Sequence, residues 1–293
     1  MNSRVILNFV LLAVVVGLIL MVYFEPGVEK AAKPATLLSL TPEDVNHIAL
    51  MPASKDVIKF EKRGSEWHIV APLDARANAV RIDSLLRLTH AAVRKSYDVA
   101  SADLEKLKLD TPLGVIQFND IKIAFGDEES LNHYRYVMVG DKVYLITDNY
   151  FYNLQAGVAN YIDTRLLPPD SHIVTIELPD MRVKVGDKGE WSVTPGHPDA
   201  AADAAQTLVD EWREAQALRV SPYQDDKALG AVKITFDKQA KPLTFEILAR
   251  DPELILGRAD IGIRYHISNE QAESLMQLAK KEPPPQKNDT TTR

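Results

Sequence analysis

The hydrophobic positions of this chain form one long unbroken run, followed by many short alternating runs. The long run covers residues 5–24, VILNFVLLAVVVGLILMVYF, in which Asn8 is the one polar side chain. A helix of this length spans about 30 Å, the hydrocarbon thickness of a bilayer. Lipid offers the backbone no hydrogen-bond partners, and a helix satisfies its own. The run therefore predicts a single transmembrane helix over residues 5–24.

A cleaved signal peptide is the alternative explanation of this run. Signal peptides have an apolar core of about 7 to 15 residues, followed closely by a small-residue cleavage site. Here the run is longer and ends in Met-Val-Tyr-Phe-Glu-Pro, and the chain has no cysteine for a lipoprotein site. We therefore expect an uncleaved anchor. Because Arg4 precedes the run and Glu25 follows it, residues 1–4 are expected in the cytoplasm. The body is then periplasmic and the anchor contacts inner-membrane lipid, if the source is a Gram-negative bacterium.

Behind the anchor, apolar and polar residues alternate with a period of two over several short segments. This alternation is typical of antiparallel strands that have one polar face. The gaps between the segments are too short for parallel crossovers, which need about a dozen residues or more. Amphipathic segments of helical period lie between the strands, so the sequence predicts an α+β fold. The predicted strands are 115–118, 121–125, 136–139, 143–146, 232–236, 243–248 and 261–267.

The body repeats itself with a period of about 120 to 125 residues. A strand that begins with tryptophan and ends at proline occurs at 67–72 and again at 191–195. Tyr-Leu-Ile-Thr at 144–147 matches Tyr-His-Ile-Ser at 265–268, and Thr147 and Ser268 are predicted N-caps. We predict two tandem, duplicated antiparallel-sheet-plus-helix units. One face of each matched helix carries Ile82, Leu85, Leu86, Thr89, Ala92 and Val93 in the first unit, and Ala204, Ala205, Leu208, Val209, Trp212 and Ala215 in the second.

The domain organisation follows from the anchor and the repeat. A linker, 25–36, joins the anchor to the first unit, 37–165, and the second unit covers 166–281. The last residues, 282–293, contain a proline triplet and mostly polar side chains. They cannot contribute to a packed core and are predicted to be a disordered tail.

Composition narrows the classes of function. The chain has 26% charged residues, 46% hydrophobic residues and a formal net charge of −7. This acidic balance provides no basic stripe for phosphates, so no nucleic acid partner is expected. Without cysteine, thiol catalysis and cysteine-based zinc sites are excluded. Neither a phosphate-binding glycine motif nor HExxH nor GxSxG occurs, and we expect no catalytic residue, no metal site and no cofactor.

A few polar residues are candidates for chemistry. The acidic run 127–129 with His133 could bind a cation or supply an acid–base pair. Carboxylates between strands are usually only solvated, which is the preferred interpretation here. His47 and His172 recur at matching positions of the two units, which favours a structural role. Further loop acids with the same interpretation are Asp225, Asp226, Asp251 and Glu253.

Tyrosine is concentrated in one part of the chain, since six of the ten tyrosines lie between residues 134 and 161. Tyr134 and Tyr136 share one face of a predicted strand, while Arg135 points to the other. Tyrosine offers rigid apolar area plus a hydroxyl, which suits a platform for a glycan or a partner protein. The alternative is that these rings fill the core, where the three tryptophans are also expected. The predicted partner-binding residues are Tyr134, Tyr136, Tyr150 and Tyr152.

Three short motifs occur in a fixed order. They are the tryptophan-to-proline segment 67–72, Leu-Asp-Thr-Pro at 109–112, and Phe-Gly-Asp at 125–127 followed by Tyr-Arg-Tyr-Val at 134–137. Their order resembles a bacterial domain-of-unknown-function family, family 4340. The resemblance covers most of residues 37–280. It implies an anchored protein that accompanies ABC-type transporter subunits, including those linked to gliding motility, and it implies no catalytic residues.

The sequence leaves three functions open. The first is a non-catalytic, membrane-anchored periplasmic accessory or binding subunit of an envelope transporter, with integral membrane transporter subunits as partners. The second is an extracytoplasmic ligand sensor. The third is an envelope enzyme that acts on glycan or lipid, which needs convergent carboxylates or a nucleophile beside a base. We expect the first. The side chains that line the main cleft and the exposed surface discriminate among the three.

Overall fold

The structure is a computed structural model that describes residues 3–24, 35–130, 132–224, 226–237 and 241–281. This part of the chain contains five α-helices and two antiparallel sheets. The predicted α+β class is therefore confirmed. The helices are α1 (Ser3–Phe24), α2 (Ala79–Leu86), α3 (Tyr152–Gln155), α4 (Ala204–Glu214) and α5 (Asn269–Met276).

Nine strands form the first sheet and eight form the second. The first sheet contains β1 (His47–Pro52), β2 (Ile58–Arg63), β3 (Glu66–Ala71), β4 (Ala75–Arg76), β5 (Val93–Asp98), β6 (Gly114–Phe118), β7 (Ile121–Glu128), β8 (Tyr134–Val139) and β9 (Lys142–Thr147). The second contains β10 (Ile173–Glu177), β11 (Arg182–Val185), β12 (Trp191–Thr194), β13 (Arg219–Pro222), β14 (Gly230–Phe236), β15 (Leu243–Ala249), β16 (Leu254–Arg258) and β17 (Ile263–Ile267).

The two sheets have the same strand order. The first runs β4-β3-β2-β1-β6-β7-β8-β9-β5, and the second runs β12-β11-β10-β14-β15-β16-β17-β13. Apart from β4, which has no counterpart, each strand of one sheet matches the strand at the same position in the other. The helices α2 and α4 occupy the same place in the chain order, as do α3 and α5. The structure therefore has the repeated two-sheet fold that the sequence predicts.

Backbone contacts outside the sheets repeat as well. Thr36 pairs with Ala92 where the chain enters the first unit, and Arg165 pairs with Gln216 where it enters the second. In both places, the entering segment lies against the stretch between the helix of that unit and its edge strand. The same long-range connection is thus formed twice, which supports a duplicated chain path and not only a similar set of strands.

Aromatic side chains fill the space between sheet and helices. In the second unit Trp212 of α4 is fully buried, 5.8 Å from the ring of Phe245, and its Nε1 donates to the Leu275 carbonyl at 2.8 Å. In the first unit Tyr161 packs edge-on against Phe60, at 5.3 Å between ring centroids. Rings of this size bury the largest apolar areas. They hold the helical layer on each sheet, and the two cores join into one cluster.

The three tryptophans are not equally buried. Trp212 is inaccessible, whereas Trp67 and Trp191 are half-buried and pack against the margin of the core. The latter two lie on β3 and β12, near the ends of their sheets, where less of the protein covers the side chains. The prediction that all three tryptophans belong to the core is right for Trp212, whereas Trp67 and Trp191 are only partly buried against it.

The first amphipathic helix is shorter than its hydrophobic pattern. The helix α2 ends at Leu86, and a 3₁₀ helix covers Arg87–His90. The pattern predicts Ala92 and Val93 on the same helical face, but neither lies in a helix. Ala92 forms a β-bridge with Thr36, and Val93 begins β5. Because β5 pairs with β9 along its whole length, the long-range ladder outweighs the local helical period.

Only one of the two predicted helix caps forms. Ser268 caps α5, since its hydroxyl accepts the Gln271 amide at 3.3 Å. Thr147 instead ends β9, and α3 begins five residues later, at Tyr152, behind Phe151. A threonine suits a strand as well as a cap, and here the pairing with β8 decides its conformation.

Several strands of the described sheets are absent from the predicted set, and β5, β13 and β16 illustrate why. The edge strands β5 and β13 are largely polar and exposed, so no alternation marks them. The strand β16 contains Gly257, which weakens its strand signal. The strand β5 is held by pairing with β9, and β13 and β16 are held by pairing with β17. The local sequence pattern contains no information about these long-range pairings.

The N-terminal helix α1 stands apart from both sheets. Its side chains are described from residue 6 to residue 20, and all of these are exposed, including twelve large apolar ones. Among the described residues, no helix is both long enough and apolar enough to cross a membrane. The transmembrane prediction therefore stays a prediction. Most of the linker 25–36 and the predicted disordered tail 282–293 lie outside the described residues.

Replacing Trp212 with phenylalanine is expected to destabilise the chain more than the same change at Trp191. The Trp212 change removes the donor to the buried Leu275 carbonyl and leaves a void beside Phe245. An unmade buried hydrogen bond costs about 1 to 3 kcal/mol, to which the lost packing adds. Urea denaturation of the full chain in detergent measures both variants. Equal losses of unfolding free energy would contradict the assignment of Trp212 as the core anchor.

Candidate functional site

A cavity of about 290 Å³ lies between the two units. One wall comes from β3, β4 and the segment that crosses from the first unit to the second. The other wall comes from the ends of β14, β15, β16 and β17, so both units are needed to form it. The lining residues are Glu66, His68, Asp74, Ala75, Arg76, Ile162, Asp163, Arg165, Leu166, Pro168, Phe236, Leu243, Arg258, Ile261 and Tyr265.

A buried ion-pair cluster forms the floor of this cavity. The Asp163 carboxylate accepts from Arg76 Nε at 2.6 Å and from Arg165 Nη2 at 2.8 Å. Arg76 Nη2 also donates to the Leu167 carbonyl at 2.9 Å. Arg76 belongs to the first sheet, while Arg165 and Leu167 lie on the segment that enters the second unit. The cluster therefore fixes the crossing of the chain between the units.

The charges around Asp163 change its titration. Burial by itself raises the pKa of a carboxyl group, because it penalises the charged form. At Asp163 the hydrogen bonds from Arg165 and the charge and hydrogen bond of Arg76 outweigh burial, and its pKa is held below the ordinary value of 3.8. The same pairing raises the pKa of Arg165. The cluster is thus fully ionised at neutral pH.

The opposite wall carries a second arginine pair and a phenol. Arg258 donates from Nε and Nη2 to both oxygens of Asp260, at 2.7 and 2.8 Å, and lies over the Phe245 ring. These bonds hold the pKa of Asp260 below its usual value. Tyr265 of β17 is almost fully buried, and burial raises the pKa of its hydroxyl. The charges of Arg258 and Arg76 act in the opposite direction on this pKa, and all three residues line the cavity.

A second polar cluster lies on the outer face of the second sheet. His266 of β17 is 3% exposed; its Nδ1 contacts Glu253 Oε1 at 2.6 Å and its Nε2 contacts Ser221 Oγ at 2.8 Å. Serine, histidine and carboxylate in this order are the arrangement of an activated nucleophile. The sequence predicts only a solvated loop acid at Glu253 and does not predict this cluster. The signal that could have found it is His266 itself, a polar residue in an apolar strand.

The surroundings of His266 argue against a nucleophilic serine. Arg219 Nη1 also contacts His266 Nε2, at 3.1 Å, and Arg219 Nη2 donates to Glu253 at 2.9 Å. Because a guanidinium can only donate, Nε2 is an acceptor and Nδ1–H donates to Glu253. The lone pair that would take the serine proton is therefore already engaged by a cation. Arg264 Nε donates to Ser221 Oγ at 3.4 Å, which completes a charge network across β13, β16 and β17.

The four predicted partner-binding tyrosines fall on two different surfaces. Tyr134 and Tyr136 lie on β8, on the face opposite to Arg135, whose guanidinium stacks 4.0 Å from Phe151 on the helical side of the sheet. Tyr150 and Tyr152 are on that helical side: Tyr150 donates to the Arg87 carbonyl at 3.5 Å, and Tyr152 Oη lies 2.8 Å from Ser84 Oγ. Of the four, Tyr152 is exposed and the other three are half-buried.

The outer face of the first sheet is aromatic. Tyr134 lies under the Arg94 guanidinium at 5.6 Å, and Tyr136 is close enough to Tyr97 and Glu129 for their charges to act on it. Burial, reinforced by these neighbours, raises the pKa of Tyr136. Tyr97 of the edge strand β5 is 39% exposed. Together Tyr97, Tyr134 and Tyr136, with Arg94, form what is called here the aromatic face.

The remaining candidates have ordinary partners. Asp127 pairs with Lys108 at 3.0 Å, which lowers the pKa of its carboxyl, and Glu128 contacts His133. Among the described residues no group of three or more His, Asp or Glu side chains is placed to hold a metal ion.

His47 and His172 are both exposed, and their carbonyls accept matching amides at the ends of the two sheets. Asp225 lies outside the described residues, while Asp226 pairs with Arg264 at 2.9 Å.

Fold and sites define a two-unit α+β protein with a cavity between the units and an aromatic outer face. A family model with the description "Domain of unknown function (DUF4340)" matches residues 67–235, more than half of the chain. The chain belongs to this family, as its motifs predict. Neither the comparison with curated proteins nor the comparison with solved structures gave a match.

Replacing Asp163 with asparagine is expected to cost about 3 kcal/mol of unfolding free energy at pH 7, because it leaves the largely buried Arg76 without its anion. The folded-state pKa of Asp163 is depressed, so its contribution is fully present above the unfolded pKa near 3.8 and is lost as the pH falls through the folded pKa. The difference between wild type and variant should therefore shrink below about pH 4.

Denaturation of both proteins between pH 3 and pH 7 measures this difference. The matched control is D170N, at an exposed turn residue with φ 54°, where asparagine is well tolerated. A D163N cost that stays constant down to pH 3 would contradict the assigned ion pair.

Proposed function

We propose that this protein is a non-catalytic, membrane-anchored periplasmic binding subunit of an envelope transporter or assembly of the ABC type. The transporter context comes from the family resemblance. The anchor comes from the apolar run 5–24 and from the exposed apolar side chains of α1. The observation that carries the binding role is the aromatic face at the edge strand where the chain arrives from its N-terminal helix.

The position of the aromatic face favours a membrane-bound partner. The edge strand β5 begins at Val93, whose amide donates to the Ala35 carbonyl at 2.8 Å. Residue 35 is the first described residue after α1 and belongs to the end of the linker. Tyr97 and the exposed residues of β5 therefore lie beside the point at which the chain comes from α1. A partner in the same membrane meets this face at a raised effective concentration, so modest intrinsic affinity suffices.

A comparison of the two units supports the same surface. In the register of β8 with β9 and of β16 with β17, Tyr134 corresponds to Glu253 and Leu145 corresponds to His266. In the register of the edge strands, Tyr97 corresponds to Ser221. The same face is thus aromatic in the first unit and an internally satisfied charge network in the second. A partner that buries the exposed part of these rings gains a binding free energy of about 25 cal/mol per Å² of apolar area removed from water.

Exchange of Tyr134 and Tyr136 for serine is expected to weaken capture of the membrane partner about tenfold or more, since aromatic anchors carry much of the binding energy in interfaces. The measurement is affinity capture with the detergent-solubilised full chain, with quantification of co-purified integral membrane proteins. The matched control is L218S, which removes an exposed apolar side chain from the equivalent edge of the second unit. Y152S tests the helical side separately.

Three outcomes would count against the proposal. Undiminished capture by Y134S/Y136S moves the interface away from the aromatic face. Loss of folding in that variant, seen by circular dichroism, assigns the rings to the core. Release of the wild-type chain from membranes by alkaline carbonate contradicts the anchor.

The enzymatic alternative has one specific observation in its favour, the Ser221–His266–Glu253 array. We expect no reaction of Ser221 with a fluorophosphonate probe, because Arg219 already occupies the Nε2 lone pair that would accept the serine proton. Mass spectrometry of the labelled full chain checks this, with S192A as a control for a surface serine. Labelling that is lost in S221A and retained in S192A would contradict the non-catalytic role and favour a hydrolase.

A further inference from the structure

The cavity between the units contains hydrogen-bond donors that the protein does not use. Tyr265 is 5% exposed and lines the cavity, and its hydroxyl has no hydrogen-bond partner among the described residues. Arg76 donates through Nε and Nη2, and Arg258 donates through the same two atoms. Nη1 of each arginine remains without a bond in the described part of the chain. These three groups are open to the cavity and can donate to a ligand there.

Most of the acceptors around the cavity, in contrast, are already engaged. Both oxygens of Asp163 accept from arginines or from the Arg165 amide. Asp74 pairs with Arg63 at 3.3 Å, and the Glu66 carboxylate, which has no hydrogen bond of its own among the described residues, acts electrostatically on Arg165. The unused donors that line the cavity are the Tyr265 hydroxyl and the Nη1 groups of two cationic side chains, Arg76 and Arg258. Such a set recognises an anionic oxygen acceptor, and charge-assisted bonds of this type are the stronger ones.

The rest of the lining restricts the body of the ligand. Phe236, Leu243 and Ile261 from the second unit face Ile162 and Leu166 from the crossing segment, and all are apolar. The volume of about 290 Å³ lies at the lower limit of small-molecule pockets. A small ligand with an apolar body and one anionic oxygen group fits both features.

We propose that the cavity between the two units binds a short amphiphilic carboxylate, with its carboxylate held by the Tyr265 hydroxyl and the Nη1 groups of Arg76 and Arg258. The apolar chain of the ligand lies against Phe236, Leu243 and Ile261. Because the ligand contacts both units, its binding favours the arrangement in which they meet. This site is separate from the aromatic face and needs no membrane partner.

The duplication supplies an internal control. In the register of β9 with β8 and of β17 with β16, Tyr144 corresponds to Tyr265 and Val139 corresponds to Arg258. The first unit thus has the phenol without the arginine. A change at Tyr144 tests whether any loss at Tyr265 is specific to the cavity.

The experiment measures binding of octanoate to the full chain in detergent by isothermal titration calorimetry. Octan-1-ol has the same apolar chain without the charge, and inorganic phosphate has the charge without the chain. Wild type is expected to bind octanoate and to bind the other two at least about tenfold more weakly. Y265F, which removes only an unpartnered hydroxyl, is expected to fold normally and to bind octanoate about tenfold more weakly.

Y144F is expected to match wild type. R258Q is expected to lose more affinity than Y265F, and its melting curve shows whether the Asp260 pair is needed for folding. Saturable octanoate binding that Y265F weakens and Y144F does not supports the proposal. No octanoate binding by wild type, equal binding of octan-1-ol, preference for phosphate, or equal binding by Y265F and wild type would each overturn it, whatever the outcome at the aromatic face.

Discussion

The buried carboxylate of Asp163 is the contact on which the arrangement of the two units depends. It neutralises Arg76 from the first sheet, whose side chain is largely buried, and Arg165 from the crossing segment, whose side chain is half-exposed. Removing one member of such a cluster leaves an uncompensated buried charge, which is far more costly than an exposed ion pair is favourable. The three groups therefore stay together. Their geometry determines how the second sheet follows the first and leaves the cavity above them.

Duplication accounts for the architecture, and divergence accounts for the sites. Both sheets follow one strand order, but matched positions have different chemistry. The buried Arg135 of the first unit, which bonds Asp148 at 2.6 Å, corresponds to Leu254 in the second. His266 replaces Leu145, and its network covers a face that is aromatic in the first unit. A backbone ladder tolerates such exchanges because it depends on main-chain bonds, while each face depends on its own side chains.

The two candidate sites follow from where the repeat begins and where it joins. At the start of the first unit, the edge strand β5 receives the segment that comes from α1, and the partly exposed aromatic face lies beside it. At the junction, the second unit presents Arg258 and Tyr265 to the ion-pair floor of the first. A partner surface and a small-ligand cavity can therefore coexist without sharing residues. Binding in the cavity acts on the relative position of the units through the groups that already join them.

The sequence by itself determined the features that depend on local pattern. Period-two alternation identified the strands β6 to β9, β14 and β15, and matched motifs revealed the duplication and the family. Ser268 was recognised as a cap because capping involves only near neighbours. Tertiary structure decided the rest. The polar edge strands β5 and β13 form only against their partners, α2 ends early for the same reason, and Thr147 remains in a strand. Glu253, His266 and Ser221 meet across three strands, and Arg76, Arg258 and Tyr265 meet across two units. Such contacts join residues far apart in sequence, and a local pattern contains no information about which distant side chains the fold brings together.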